Sequence, residues 1–171
     1  MNEAHGFDYY RRIIDSLEPG TLERYDREES GAQCFGADEA TQGGGAFTFS
    51  ALCRDDQVAI LRALDVNLPT KTKRVNHDTG TSYAIKHAVE RYTGRYTSNL
   101  QAKVAMRLLG YKRSSPAELN PHFNISRREW RAFSELSLEM DARRRHARER
   151  MARQEEQQAA ARYFYRMTKT A

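Results

Sequence analysis

Residues 81–110 read TSYAIKHAVERYTGRYTSNLQAKVAMRLLG, and two helical periods can be counted in them. Ile85, Ala88, Val89 and Tyr92 recur at the three- and four-residue spacing that lines one face of a helix. Ser82 stands where an N-cap is wanted, and Gly94 where a left-handed residue ends a helix without steric penalty. Four residues later the pattern restarts. Ser98 and Gln101 have the spacing of a capping box, Leu100, Val104, Ala105 and Leu108 form the next apolar stripe, and Gly110 ends it. Two helices of about three turns, joined by about five residues, bury such stripes by packing on each other. The expectation is a helix-turn-helix-like hairpin.

The flanks are helical as well. Upstream, Phe7, Tyr10, Ile13, Ile14 and Leu17 share a face until Pro19-Gly20 stops the pattern. Residues 26–45, acidic and then glycine-rich, read as a flexible connection; Gly43-Gly44-Gly45 is not followed by the Lys-Ser/Thr of a phosphate loop. Phe47 and Phe49 alternate with polar residues as a short strand would, and a helix over 55–64 follows with Val58, Leu61 and Leu64 inside. Residues 68–81 read as an exposed loop with a strand around Arg74-Val75, and 111–124 as irregular, with Pro116 and Pro121. Downstream, Ser126 and Glu129 have capping-box spacing, and Trp130, Phe133, Leu136 and Met140 anchor a helix that meets no Gly or Pro before the chain ends. Its tip, Tyr163-Phe164-Tyr165 with Met167, is apolar, but Met140, Ala147, Met151 and Ala161 are too thin a seam for a strong coiled coil. The expected fold is therefore mainly α: a small helical domain with a long C-terminal helix. It divides into an acidic N-terminal helix and flexible linker (1–45), a basic helical core domain (46–125) and a C-terminal arm (126–171).

Composition narrows the function. A chain of 171 residues with 30% charged residues and a mean hydropathy of −0.83 has room for one core and much solvated surface. No run approaches the ~20 apolar residues of a membrane span, no secretory signal opens the sequence, and Cys34 and Cys53 form no CxxC pair. These features imply a soluble protein of the cytoplasm with reduced thiols. Charge is uneven: residues 1–45 carry four Arg against ten Asp and Glu, whereas 46–125 carry twelve basic and six acidic side chains and 126–171 twelve and seven. An acidic head on a basic body attracts polyanions to the body, or lays the head over part of it.

The candidate contact residues follow from that excess. The hairpin carries Lys86, Arg91, Arg95, Lys103 and Arg107, with Tyr96 in its turn. Lys103 and Arg107, four apart, share one helix face, expected to be exposed. A helix, a short turn and a basic helix are what a helix-turn-helix reader presents to DNA. Lys71, Lys73 and Arg74 on one side, and Lys112 and Arg113 on the other, are placed to grip phosphates. Arg143, Arg144 and Arg145 make a second basic run, where pairing with nearby glutamates is the structural alternative. Trp130 reads as core rather than as contact surface.

No catalytic, metal or cofactor site emerges. His5, His77, His87, His122 and His146 are scattered without HxxxH spacing, no GxSxG is present, and Asn76-His77-Asp78 lacks the second carboxylate cluster that a metal-dependent nuclease needs. The expectation is a protein that binds and is not an enzyme.

The segment quoted first also resembles a pattern found in small uncharacterised proteins of phages and actinobacterial mobile elements. In that pattern Ser-Tyr-x-x-Lys-His precedes a Gly-x-Tyr-x-x-Asn turn and an Ala-rich helix ending in Leu-Gly. The matching positions are Ser82, Tyr83, Lys86, His87, Gly94, Tyr96, Asn99 and Gly110, and Phe123-Asn124-Ile125-Ser126 extends it. The resemblance covers about a quarter of the chain, and the long C-terminal extension departs from it. It implies a small protein that binds nucleic acid as a regulator. It also implies the alternative of one that binds and disables a host nucleoprotein defence complex, as inhibitors of CRISPR effectors do.

Overall fold

The computed structural model describes residues 6–30 and 47–169, with side chains of the last helix described to 160 and at 162. The elements among them are α1 (Phe7–Asp15), α2 (Thr21–Ser30), α3 (Arg54–Asn67), α4 (Ser82–Thr93), α5 (Asn99–Leu108) and α6 (Arg127–Lys169). The protein is mainly helical and ends in a long helix. Among the described residues no strand forms, and the extended segments meet only at isolated bridges, Lys71 with Ile125, Thr81 with His122 and Arg113 with Phe123. Of the flexible connection expected over 26–45, residues 26–30 are instead the second half of helix α2, and the remainder lies outside the described residues.

The hairpin forms as its periodicity dictates. Ile85, Ala88 and Val89 of α4 face Val104, Ala105 and Met106 of α5, all buried. Ser98 accepts from the Gln101 N–H at 3.0 Å and donates its own N–H to Gln101 Oε1 at 2.8 Å, the reciprocal pair expected of a capping box. Gly94 takes φ +74° at the C-cap of α4, where a β-carbon is strained. The N-cap of α4 differs from expectation. Thr81 holds that position without a side-chain bond, and Ser82 Oγ is buried inside.

Around the hairpin the other helices close the core. Tyr10 and Ile14 of α1 pack with Val58, Leu61 and Leu64 of α3, and Phe133 of α6 meets Tyr92 of α4 edge-on at 5.8 Å. Phe49 is not in a strand; it sits in a turn and is fully buried. Residues 101–106 of α5 are buried without interruption, because α2, α3 and α4 surround that helix. Glu129 does not close a box on Ser126; its carboxylate accepts from the Thr70 N–H at 3.0 Å.

The helix α2 is the element the periodicity misses. Its pattern is mostly polar: Leu22 and Tyr25 pack against the core, and two carboxylates face inward beside them. Asp26 accepts from the N–H groups of Phe49 and Ser50 at 2.8 and 3.0 Å, and Glu29 faces inward onto α5. Part of the acidic head thus belongs to the same core as the basic body.

Two stability predictions arise here. Burial first, and then the Asp65 carboxylate, hold the hydroxyls of Tyr10 and Tyr111 well above the ordinary tyrosine range. Tyr10 donates to Asp65 at 3.1 Å and Tyr111 to the Leu68 carbonyl. Above pH ~10 an unfolded chain releases these protons while the folded chain retains them, so stability is lost as pH rises. The expected slope is about −1.4 kcal/mol per pH unit for each tyrosine, read by urea unfolding between neutral and alkaline pH. Tyr111→Phe should flatten it.

Gly80 is the second case. A β-carbon there would fall within the indole of Trp130, which packs against the core. Gly80→Ala is expected to cost about 2 kcal/mol, as overpacking does. An unchanged denaturation midpoint would show that the indole has room to move.

Candidate functional site

Three extended segments lie side by side next to the hairpin, and Asn124 ties them. Its N–H donates to the Lys112 carbonyl at 3.0 Å, and its carbonyl accepts from the Thr72 N–H at 2.8 Å. Its side chain repeats the pattern, with Oδ1 accepting from the Lys112 N–H at 2.6 Å and Nδ2 donating to the Thr72 carbonyl at 2.8 Å. The residue is buried, and every polar group it has is used. As a result Lys71, Lys73 and Arg74 on one flank and Lys112 on the other are held roughly 10 Å apart, two inter-strand spacings. All four are exposed. Lys71 lies over the Tyr111 ring at 4.8 Å, and among the described residues none of the four has an ion-pair partner. Cations within a Debye length of each other act on a polyanion as one potential.

The basic face of the second hairpin helix is arranged otherwise. Lys103 and Arg107 were expected on an exposed face, and the structure corrects this: α2 covers them. Lys103 is 5% exposed and donates to the Glu29 carbonyl. Arg107 reaches Glu28 at 2.5 Å and Glu29 at 3.2 Å, with its guanidinium 3.9 Å above the Tyr25 ring. Arg113 pairs with the other oxygen of Glu29. Burial works against the Arg107 charge, and the two carboxylates more than offset it, holding the guanidinium above its ordinary range. With Lys103 buried and α2 laid across it, α5 does not present a free recognition face to a groove.

A third group gathers on α4 and the turn that follows. Lys86 is nearly buried, with Nζ 5.4 Å from the ring centroids of both Tyr83 and Tyr96 and 3.5 Å from Glu90. Glu90 also meets His87 Nδ1 at 2.8 Å and accepts from the Thr97 N–H at 3.2 Å. Tyr83 packs edge-on against His87 at 4.6 Å, and Tyr96 against Phe47 at 6.3 Å. The Tyr83, Lys86, His87 and Tyr96 positions of the motif therefore converge on one surface; Lys86, expected on an exposed face, is instead buried against the Tyr83 and Tyr96 rings and Glu90.

The remaining candidates disperse. Arg91 donates to Ser137 Oγ at 3.2 Å across the α4–α6 contact, and Arg95 pairs with Asp56. Arg144 donates to the Tyr92 carbonyl at 3.1 Å, a cation on the C-terminal end of α4. Arg143 and Arg145 pair within their own helix, with Glu139 at 2.5 Å and Asp141 at 3.4 Å. The Asn76-His77-Asp78 loop is held by structural bonds: Asn76 Oδ1 accepts from the Asp78 N–H at 3.1 Å, and Asp78 pairs with Arg127 at 3.3 Å. Among the described residues no three His, Cys, Asp or Glu side chains gather as a metal site would require, and no helix is long and apolar enough to cross a membrane.

Sequence reasoning missed Glu28, Glu29 and Asn124 as organisers. The only signal for the first two was the acidic excess of the head; Asn124 stood in the motif without a role. No protein-family model, curated protein or solved structure matches the chain.

Proposed function

We propose that the chain is a non-enzymatic nucleic-acid-binding accessory protein of a phage or mobile element, acting in the host cytoplasm. Phosphates are gripped by Lys71, Lys73, Arg74 and Lys112. One observation supports this reading: Asn124 ties together the backbone segments that carry those four exposed side chains, and among the described residues they have no carboxylate partners where most other candidate cations are paired. Titration against a mixed DNA and RNA panel at rising salt tests it. About four neutralised phosphates give a slope of roughly −3.6 in log K against log salt on duplex. No measurable affinity at low salt would end the reading.

A second reading has its own observation. Beyond the Arg144 contact α6 runs on with residues 148–160 all exposed, a surface that nothing in the chain covers among the described residues. Such an arm suits an inhibitor that binds a host nucleoprotein defence complex, as anti-CRISPR proteins do, by occupying a nucleic-acid or subunit-binding surface. On this reading naked nucleic acid binds poorly. One stoichiometric host protein is captured by the whole chain, and capture is lost when residues 148–171 are removed.

A further inference from the structure

We propose that Tyr83 and Tyr96, held on either side of Lys86, form a stacking site for unpaired nucleobases, so that the preferred ligand is single-stranded nucleic acid. The proposal rests on the nucleic-acid reading above and adds the kind of strand. Its basis is independent of the phosphate-gripping residues.

Tyr83 is 51% exposed, Tyr96 63% and Phe47 48%, although side chains of this size ordinarily bury most of their surface. None is needed to close the core, which is complete beneath them with Ile85, Ala88 and Val89. The rings are nonetheless fixed. Tyr83 is braced by His87, Tyr96 by Phe47, and Lys86 Nζ sits at the same 5.4 Å from both centroids, anchored by Glu90. Exposed, pre-ordered rings offer a nucleotide the flat π-face its base needs; Lys86, buried and paired with Glu90, fixes the rings, and the phosphates are left to the cations nearby that are unpaired among the described residues. Duplex hides its base faces, so this chemistry selects unpaired strands.

The path to the phosphate-gripping residues is short. The segment 121–125 links the two places: Ser82 donates its N–H to the Pro121 carbonyl at 2.8 Å, and three residues on stands Asn124. Three residues of extended chain span about 10 Å. A strand whose bases rest on Tyr83 or Tyr96 can therefore run its backbone towards Lys71 and Lys112.

The test is fluorescence anisotropy with labelled oligothymidylate and a labelled duplex of equal length, on the native chain, Tyr83→Leu, Tyr96→Leu and the double variant. Loss of about tenfold in single-strand affinity per tyrosine, on the order of a hundredfold for the pair, is expected, with duplex affinity unchanged. Tyr83→Trp with Tyr96→Trp should restore single-strand binding, and melting curves by circular dichroism should coincide for all variants. If the leucine variants bind oligothymidylate like the native chain, or lose both ligands equally, the stacking site is overturned while phosphate binding stands. If the native chain binds neither ligand, the broader functional reading fails first.

Discussion

Replacing Lys71, Lys73 and Arg74 together by glutamate is expected to lower affinity for nucleic acid about a thousandfold at low salt and to reduce the salt slope by about 3. Three phosphate contacts are lost, and three negative charges are added beside Lys112. The fold should be unaffected. All three side chains are exposed, and the backbone contacts that place them run through Thr72, Asn76 and Asn124. The same triple exchange on Arg143, Arg145 and Arg148 serves as a control of equal charge change, since the first two are paired within their own helix. An equal loss from both triples would mean that net charge alone drives binding, leaving no role for the segment that Asn124 organises.

The largest stability effect is expected at Glu29. Its side chain is 2% exposed and sits between Arg107 and Arg113, while its carbonyl accepts from Lys103. Glu29→Gln keeps the shape and removes the charge. Arg113 then loses its carboxylate, and Arg107 retains only Glu28. Breaking one side of a buried charge group costs about 3 kcal/mol, which for a chain of this length is a fall of about 10 °C in Tm. Calorimetry of Glu29→Gln against exposed Glu23→Gln gives the comparison. The variant also leaves Arg113 without its carboxylate, so nucleic-acid affinity should rise if that side chain can then reach phosphate. A Tm within a degree of the native value would show that solvent compensates the arginines and that α2 is not held by charge.

How much of this was legible beforehand depends on which force placed each element. Helices set by apolar period, as α4 is by Ile85, Ala88 and Val89, can be read from spacing because burial of one face dictates both the element and its orientation. The α5 cap could be read because Ser98 and Gln101 are close in sequence. The helix α2 could not. Leu22 and Tyr25 are, among the described residues, its only apolar contacts with the core, and its inward Asp26 and Glu29 are carboxylates whose partners, Phe49, Arg107 and Arg113, lie far along the chain, so its placement is mostly a tertiary fact. For the same reason a count of lysines and arginines overstated the exposed basic surface. It located Lys71, Lys73, Arg74 and Lys112 but had no means of knowing that Glu28 and Glu29 would claim Arg107 and Arg113. The meeting of Tyr83, Lys86 and Tyr96 followed partly from helix geometry, since Tyr83 and Lys86 are three apart, and partly from the Gly94 turn that folds Tyr96 back.

The final helix has a mechanical consequence. It is one continuous element from Arg127 to Lys169, fastened to the body in its first turns by Phe133, Ser137 and Arg144. Between residue 145 and its end it advances about 36 Å at 1.5 Å per residue. An unbroken helix transmits position as a strut does, so any molecule gripped at the far end stands at a set separation from whatever the body holds, and lengthening the strut by single turns would change that spacing in steps of about 5.4 Å.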